Sequence, residues 1–107
     1  MAITTSVFAD DITISMPADT KAEHVDATYQ CGSEKVSVTY INAGSVNLAR
    51  LSIGNAVIIA SNVISASGAK YVGGPYVWWS KGSEADLYDL MRDPEMNAPT
   101  PCNTFKG

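Results

Sequence analysis

Histidine, cysteine and charge are all scarce in this 107-residue chain, and each scarcity excludes a class of function. A Ser-His-Asp relay needs a histidine touching both nucleophile and carboxylate. The single histidine, His24, lies in a polar leader, far from any glycine-flanked serine. One histidine and two cysteines make no cluster at metal-ligand spacing. Phosphate loops and dinucleotide fingerprints are missing too, so no metal or organic cofactor is expected. Only 17% of the residues are charged, with 7 Lys+Arg against 11 Asp+Glu and a net charge of −4. No basic cluster offsets that balance, so the phosphate backbone of a nucleic acid is repelled, whereas a basic protein partner is electrostatically allowed. No apolar run approaches the roughly 18 residues that a membrane-spanning helix needs.

What is present is a 46% apolar composition, enough for one small globular domain. Residues 1–26 form a polar leader carrying Asp10, Asp11, Asp19, Lys21, Glu23, His24 and Asp26, interrupted by Pro17. Within it, Val7-Phe8-Ala9 has the small residues of a signal-peptidase site and is followed by Asp10-Asp11. This reads either as the end of a trimmed export signal or as a coincidence. Ile12-Thr13-Ile14 is a short alternation that suits an edge strand.

From Ala27 to Gly107 the pattern becomes short β-type runs punctuated by glycine. Strands are expected at Thr28–Cys31, Lys35–Ile41, Val46–Leu51, Ala56–Ile64, Ala69–Val72, Pro75–Ser80, Glu84–Leu90 and Cys102–Phe105. About eight strands without a helix argue for an all-β fold, an antiparallel barrel or a sandwich. Closure into a barrel suits this size because it removes exposed edges. Val36, Val38 and Tyr40, Val46 and Leu48, and the Val57–Ile59 run are the expected core faces. Of Trp78 and Trp79, alternation turns one inward and the other outward.

The two cysteines, Cys31 and Cys102, lie too far apart for a redox CxxC or a zinc knuckle. They are either buried free thiols or a long-range disulfide. The disulfide is favoured because each cysteine sits near one end of the patterned region, and it implies an oxidising compartment. Glu84, Asp86 and Asp89 invite comparison with a glycosidase carboxylate pair. On a strand, however, Glu84 and Asp86 share the face opposite Ala85 and Leu87, which reads as a solvated face.

Two segments place a small or charged polar residue just before a turn glycine, where rigid strands present recognition groups. Ser67-Gly68-Ala69-Lys70-Tyr71 resembles the SGAxY signature of the bacterial inhibitors of c-type lysozyme. Trp79-Ser80-Lys81-Gly82-Ser83-Glu84-Ala85-Asp86-Leu87 resembles that family's second signature, WxKGxxAxL. Both occur in order, inside a cysteine frame matched by Cys31 and Cys102.

The resemblance covers about residues 27–107 and implies an eight-stranded antiparallel barrel with no enzymatic activity. It implies that Ser67 and Lys81 enter the cleft of a c-type lysozyme, an enzyme class that is strongly basic, and that bacterial peptidoglycan is protected. Gly68, Ala69, Lys70, Tyr71 and Gly82 complete the implied lysozyme-binding set. Tyr71 either packs at the barrel rim or touches the partner. Trp79, at the motif position, takes the structural role, leaving Trp78 as the exposed one. With no cysteine ahead of Cys31 to carry a lipid, the periplasmic form of the family is expected rather than the membrane-bound lipoprotein. The residues allow a homodimer without requiring one. The rival reading is a small β-barrel binding module for a sugar or an apolar ligand, which needs a hollow interior.

Overall fold

The computed structural model describes residues 13–105. The Val7-Phe8-Ala9 motif and Ile12 lie outside them, and Thr13 and Ile14 belong to no strand. Eight strands follow in sequence: β1 (Ala22–Cys31), β2 (Glu34–Ala43), β3 (Val46–Ile53), β4 (Ala56–Val63), β5 (Ala69–Gly73), β6 (Tyr76–Lys81), β7 (Glu84–Asp89) and β8 (Thr100–Thr104). Each is antiparallel to the next, and β8 returns to pair with β1, closing an up-and-down barrel. Among the described residues no helix is long and apolar enough to cross a membrane.

Tight turns dictate this meander. Five of the seven connections are two-residue hairpins that open on glycine, at Gly32, Gly44, Gly54, Gly74 and Gly82, each with φ between 54° and 67°. A positive φ at the first turn position matches the right-handed twist of the flanking strands, and glycine adopts it without strain. Only the β4–β5 and β7–β8 connections are longer. Because successive hairpins open at opposite ends, the β4–β5 loop and the β6–β7 turn share one end of the barrel.

The strand bounds agree with the sequence reading to within two residues except at β1, which begins at Ala22 rather than Thr28. Its first half pairs only with β2, since β8 reaches no further than Tyr29. Thr39 Oγ1 donates to Asp26 Oδ1 at 2.7 Å there. With water on both faces, that half carries no apolar alternation to betray a strand.

The barrel interior is filled. Trp78, Leu51, Val36 and Val38 are fully enclosed, with Tyr29, Ala49 and Ala60 beside them. The Tyr29 ring meets Trp78 edge-on at 4.9 Å between centroids. Their polar groups converge on one oxygen: Trp78 Nε1 donates to Tyr40 Oη at 2.9 Å, and Tyr29 Oη lies 2.9 Å from it. Buried indole and phenol groups find partners in this way, which offsets the cost of taking them out of water. A packed interior leaves no room for the ligand of a hollow binding module.

Two expected core faces need correction. Val36 and Val38 are buried and Tyr40 packs on the core, but Val46 and Leu48 face outward. The register Val38↔Leu51 and Tyr40↔Ala49 turns Leu51, Ala49 and Ile53 inward instead. Val46 and Leu48 are apolar because they line, with Ile14, Met16 and Ile41, an outer cavity of about 320 Å³. In β4 only Ile58 of the Val57–Ile59 run faces the core, while Val57 and Ile59 are each 52% exposed. An unbroken apolar run carries no phase, so the pairing Leu51↔Ile58 decides it.

Candidate functional site

The register of β5 with β6 builds the site. Ala69 pairs with Ser80 and Lys70 with Trp79, so Gly68, one step earlier, falls opposite Lys81. The tip of the β4–β5 loop and the start of the β6–β7 turn therefore sit side by side. Ser67, Gly68, Lys81 and Gly82 are all exposed there.

The loop tip is fixed from within. The Ser65 hydroxyl donates to the carbonyls of Ser67 and Gly68, at 3.0 and 3.2 Å. Trp79 Nε1 donates to the same Ser67 carbonyl at 2.8 Å. Gly68 has φ of 65°, and a Cβ there would stand 2.5 Å from the Ser80 carbonyl oxygen and 3.0 Å from Lys81 Cγ. Any side chain at this position would push the two tips apart.

Charge gathers around the same indole. Lys81 Nζ lies 4.9 Å and Lys70 Nζ 5.0 Å from the Trp79 ring centroid, within cation–π range. Ser67 and Lys81 thus project from one end of the barrel, Lys70 stands beside them on the outer wall, and Ala69 is half-buried at the loop base. Tyr71 is not at the surface. It is 7% exposed and its ring stands 5.7 Å from that of Tyr40, so it anchors the loop base in the core. Burial pushes its phenol pKa up, and the nearby Tyr40 adds to the shift.

The tryptophan assignment is a correction. Trp78, expected at the surface, is wholly enclosed, and Trp79 is the half-exposed one. A signal for this was present: the Gly82-Ser83 turn pairs Lys81 with Glu84 and hence Trp79 with Asp86, on the face already read as solvated. Ser65, which braces the loop, was not singled out by sequence, because a hydroxyl that hydrogen-bonds within its own loop leaves no periodic pattern. The Cys31–Cys102 disulfide is formed. A second cavity of about 540 Å³ opens between the β1–β2 turn and the β7–β8 loop, at the opposite end of the barrel.

Comparison with known proteins gives a consistent answer. Residues 29–96 match the family described as MliC, membrane-bound lysozyme-inhibitor of c-type lysozyme. A membrane-bound lysozyme inhibitor of C-type lysozyme from Pseudomonas aeruginosa is 44% identical over 91 residues, covering 83% of this chain and 72% of that protein. A protein of the same name from Cupriavidus necator is 43% identical over 76 residues, covering 70% of this chain and 60% of its own length. The crystal structure of Pseudomonas aeruginosa MliC in complex with hen egg white lysozyme superposes with a TM-score of 0.76 at 36% identity, covering 91% of this chain and 98% of that one.

Proposed function

The chain belongs to the family of membrane-bound lysozyme inhibitors of c-type lysozyme, and from that premise we propose that it blocks the cleft of a c-type lysozyme with the Ser67 loop and the Lys81 turn. It is a protein-binding inhibitor and not an enzyme. The observation that supports the site is the β5–β6 register, which holds two exposed polar tips together at one end of a filled, rigid barrel.

The chemistry of the target explains why these residue types suit it. A retaining glycosidase works with two carboxyl groups about 5 Å apart, one protonated as acid and one ionised. The Lys81 ammonium, delivered between them, forms charge-assisted hydrogen bonds and stabilises both groups as carboxylates, against the division of labour that catalysis needs. The Ser67 hydroxyl both donates and accepts, so it pairs with either protonation state. Both tips occupy the space of the sugar chain, and inhibition is competitive without any covalent step.

The protein is placed in the bacterial cell envelope, as its family is. We propose more narrowly a soluble periplasmic form, guarding peptidoglycan, whose inhibitor domain is the eight-stranded barrel that opens at Ala22 rather than at residue 27. The disulfide supports an oxidising compartment. The relatives' names say membrane-bound, so the test is the mass of the mature protein from its native host: an unlipidated mass is expected, and a lipid adduct overturns the soluble form. For the function itself, a stoichiometric amount added to a cell-wall lysis assay should suppress c-type lysozyme. Full lytic activity at that ratio defeats the reading.

A further inference from the structure

Resting on that reading, we propose that Trp79 is the positioning residue of the site: it ties the Ser67 loop to the Lys81 turn so that both inhibitory groups are presented as one pre-set unit. Two separate parts of a single side chain carry this. The indole N–H donates to the Ser67 carbonyl at 2.8 Å, and the ring holds the Lys81 ammonium 4.9 Å from its centroid. The two tips are 14 residues apart along the chain by position, yet one rigid bicycle touches both.

Geometry explains why a tryptophan is needed. Trp79 faces outward from β6, flanked by Lys70 on β5 and Asp86 on β7. From there the indole reaches the tip of the β4–β5 loop, and the position of a Cβ on Gly68 would be only 3.2 Å from Nε1. The Ser67 carbonyl is thereby fixed, and the Ser67 side chain on the same residue is aimed. Lys81 has a flexible four-carbon stem, and an exposed ammonium ordinarily loses that freedom on binding. Attraction to the indole favours the rotamers that hold the ammonium over the ring by about two- to fivefold, which narrows that freedom before binding.

The roles of N–H and ring separate by mutation. Trp79→Phe keeps a ring and removes the donor, whereas Trp79→Leu removes both. Each is measured as the inhibition constant against c-type lysozyme in the wild-type, Ser67→Ala and Lys81→Ala backgrounds. Trp79→Phe should weaken inhibition by about three- to tenfold, the worth of one hydrogen bond. That loss should vanish in Ser67→Ala and persist in Lys81→Ala. Trp79→Leu should lose a further factor that vanishes in Lys81→Ala. In the free protein, the side-chain methylene protons of Lys81 should show an upfield ring-current shift that Trp79→Leu abolishes.

Losses that are the same in every background, or an unshifted Lys81, overturn the inference while leaving lysozyme inhibition intact. A wild-type chain that does not inhibit removes the functional reading and this inference together. Should Trp79→Leu fail to fold, the Trp79→Phe comparison across the two backgrounds decides alone.

Discussion

Cys31 and Cys102 stand directly opposite one another in the β1–β8 register, their Cα atoms 4.2 Å apart, at the end of a seam only three residue pairs long. By contrast β1 and β2 share a ten-residue ladder. The disulfide therefore staples one of the two shortest junctions of the barrel, the one that joins the first strand to the last.

Replacing both cysteines should be costly for that reason. Closing a loop with a sequence separation of 71 restricts the unfolded chain, worth about 4 kcal/mol in the chain-entropy model. Denaturant unfolding of a Cys31→Ala/Cys102→Ala variant should show a loss of that order, as should the wild type under reducing conditions. An unchanged midpoint contradicts a stapling role.

The inward register makes two further substitutions diverge. Trp78 is fully enclosed and hydrogen-bonded to Tyr40, so Trp78→Ala should cost about 3–5 kcal/mol. Ile59, although aliphatic and in a strand, is 52% exposed on the outer wall. Ile59→Ser should cost no more than about 1 kcal/mol. Comparable losses in thermal unfolding would refute the β3–β4 register.

Two turn glycines share a left-handed backbone but not their surroundings. Gly68 is pressed against Ser80 and Lys81, whereas a Cβ on Gly82 meets nothing within 4 Å. Alanine at either position should cost roughly 1–2 kcal/mol of stability through its φ alone. Only Gly68→Ala also separates the two tips proposed to inhibit, so its affinity for lysozyme should fall the further of the two. Titration of both variants against the enzyme tests this ordering, and the reverse ordering defeats it.

Alkaline pH gives a separate check on the core. Burial raises the phenol pKa of Tyr29, Tyr71 and Tyr88, and the hydrogen bond to Tyr40 adds to the effect at Tyr29. Unfolded phenols ionise near pH 10 while the folded ones still hold their protons. Their contribution is thus fully present below about pH 10 and is lost as pH rises toward the folded values. The denaturation midpoint should fall steeply above that pH, with phenolate absorbance growing in step with unfolding. Phenolate formation at these tyrosines in a still-folded barrel contradicts the burial argument.

The eight strands were legible because glycine turns and short β-branched runs are local signals, and the two-residue hairpins leave little freedom in how strands connect. Phase was harder to read. Val46, Leu48, Val57 and Ile59 are apolar residues on the outer wall, and composition cannot tell an outer apolar face from an inner one. Cross-strand pairing supplies the answer, since Val38↔Leu51 and Leu51↔Ile58 fix the inward set. At the site, the motif positions Ser67 and Lys81 were visible as turn residues, but their adjacency comes from the β5–β6 register. The part played by Trp79 depends on where an indole N–H points, which no spacing records.

The most direct measurement is a calorimetric titration of c-type lysozyme with the wild type and with Lys81→Ala. Lys81 is exposed at the end of β6, so the variant should unfold at the wild-type temperature. The expected result is an affinity at least about thirtyfold weaker, equivalent to about 2 kcal/mol for an ammonium buried at the centre of an interface. Equal affinity for the two proteins, with folding intact, contradicts the proposal that Lys81 enters the cleft.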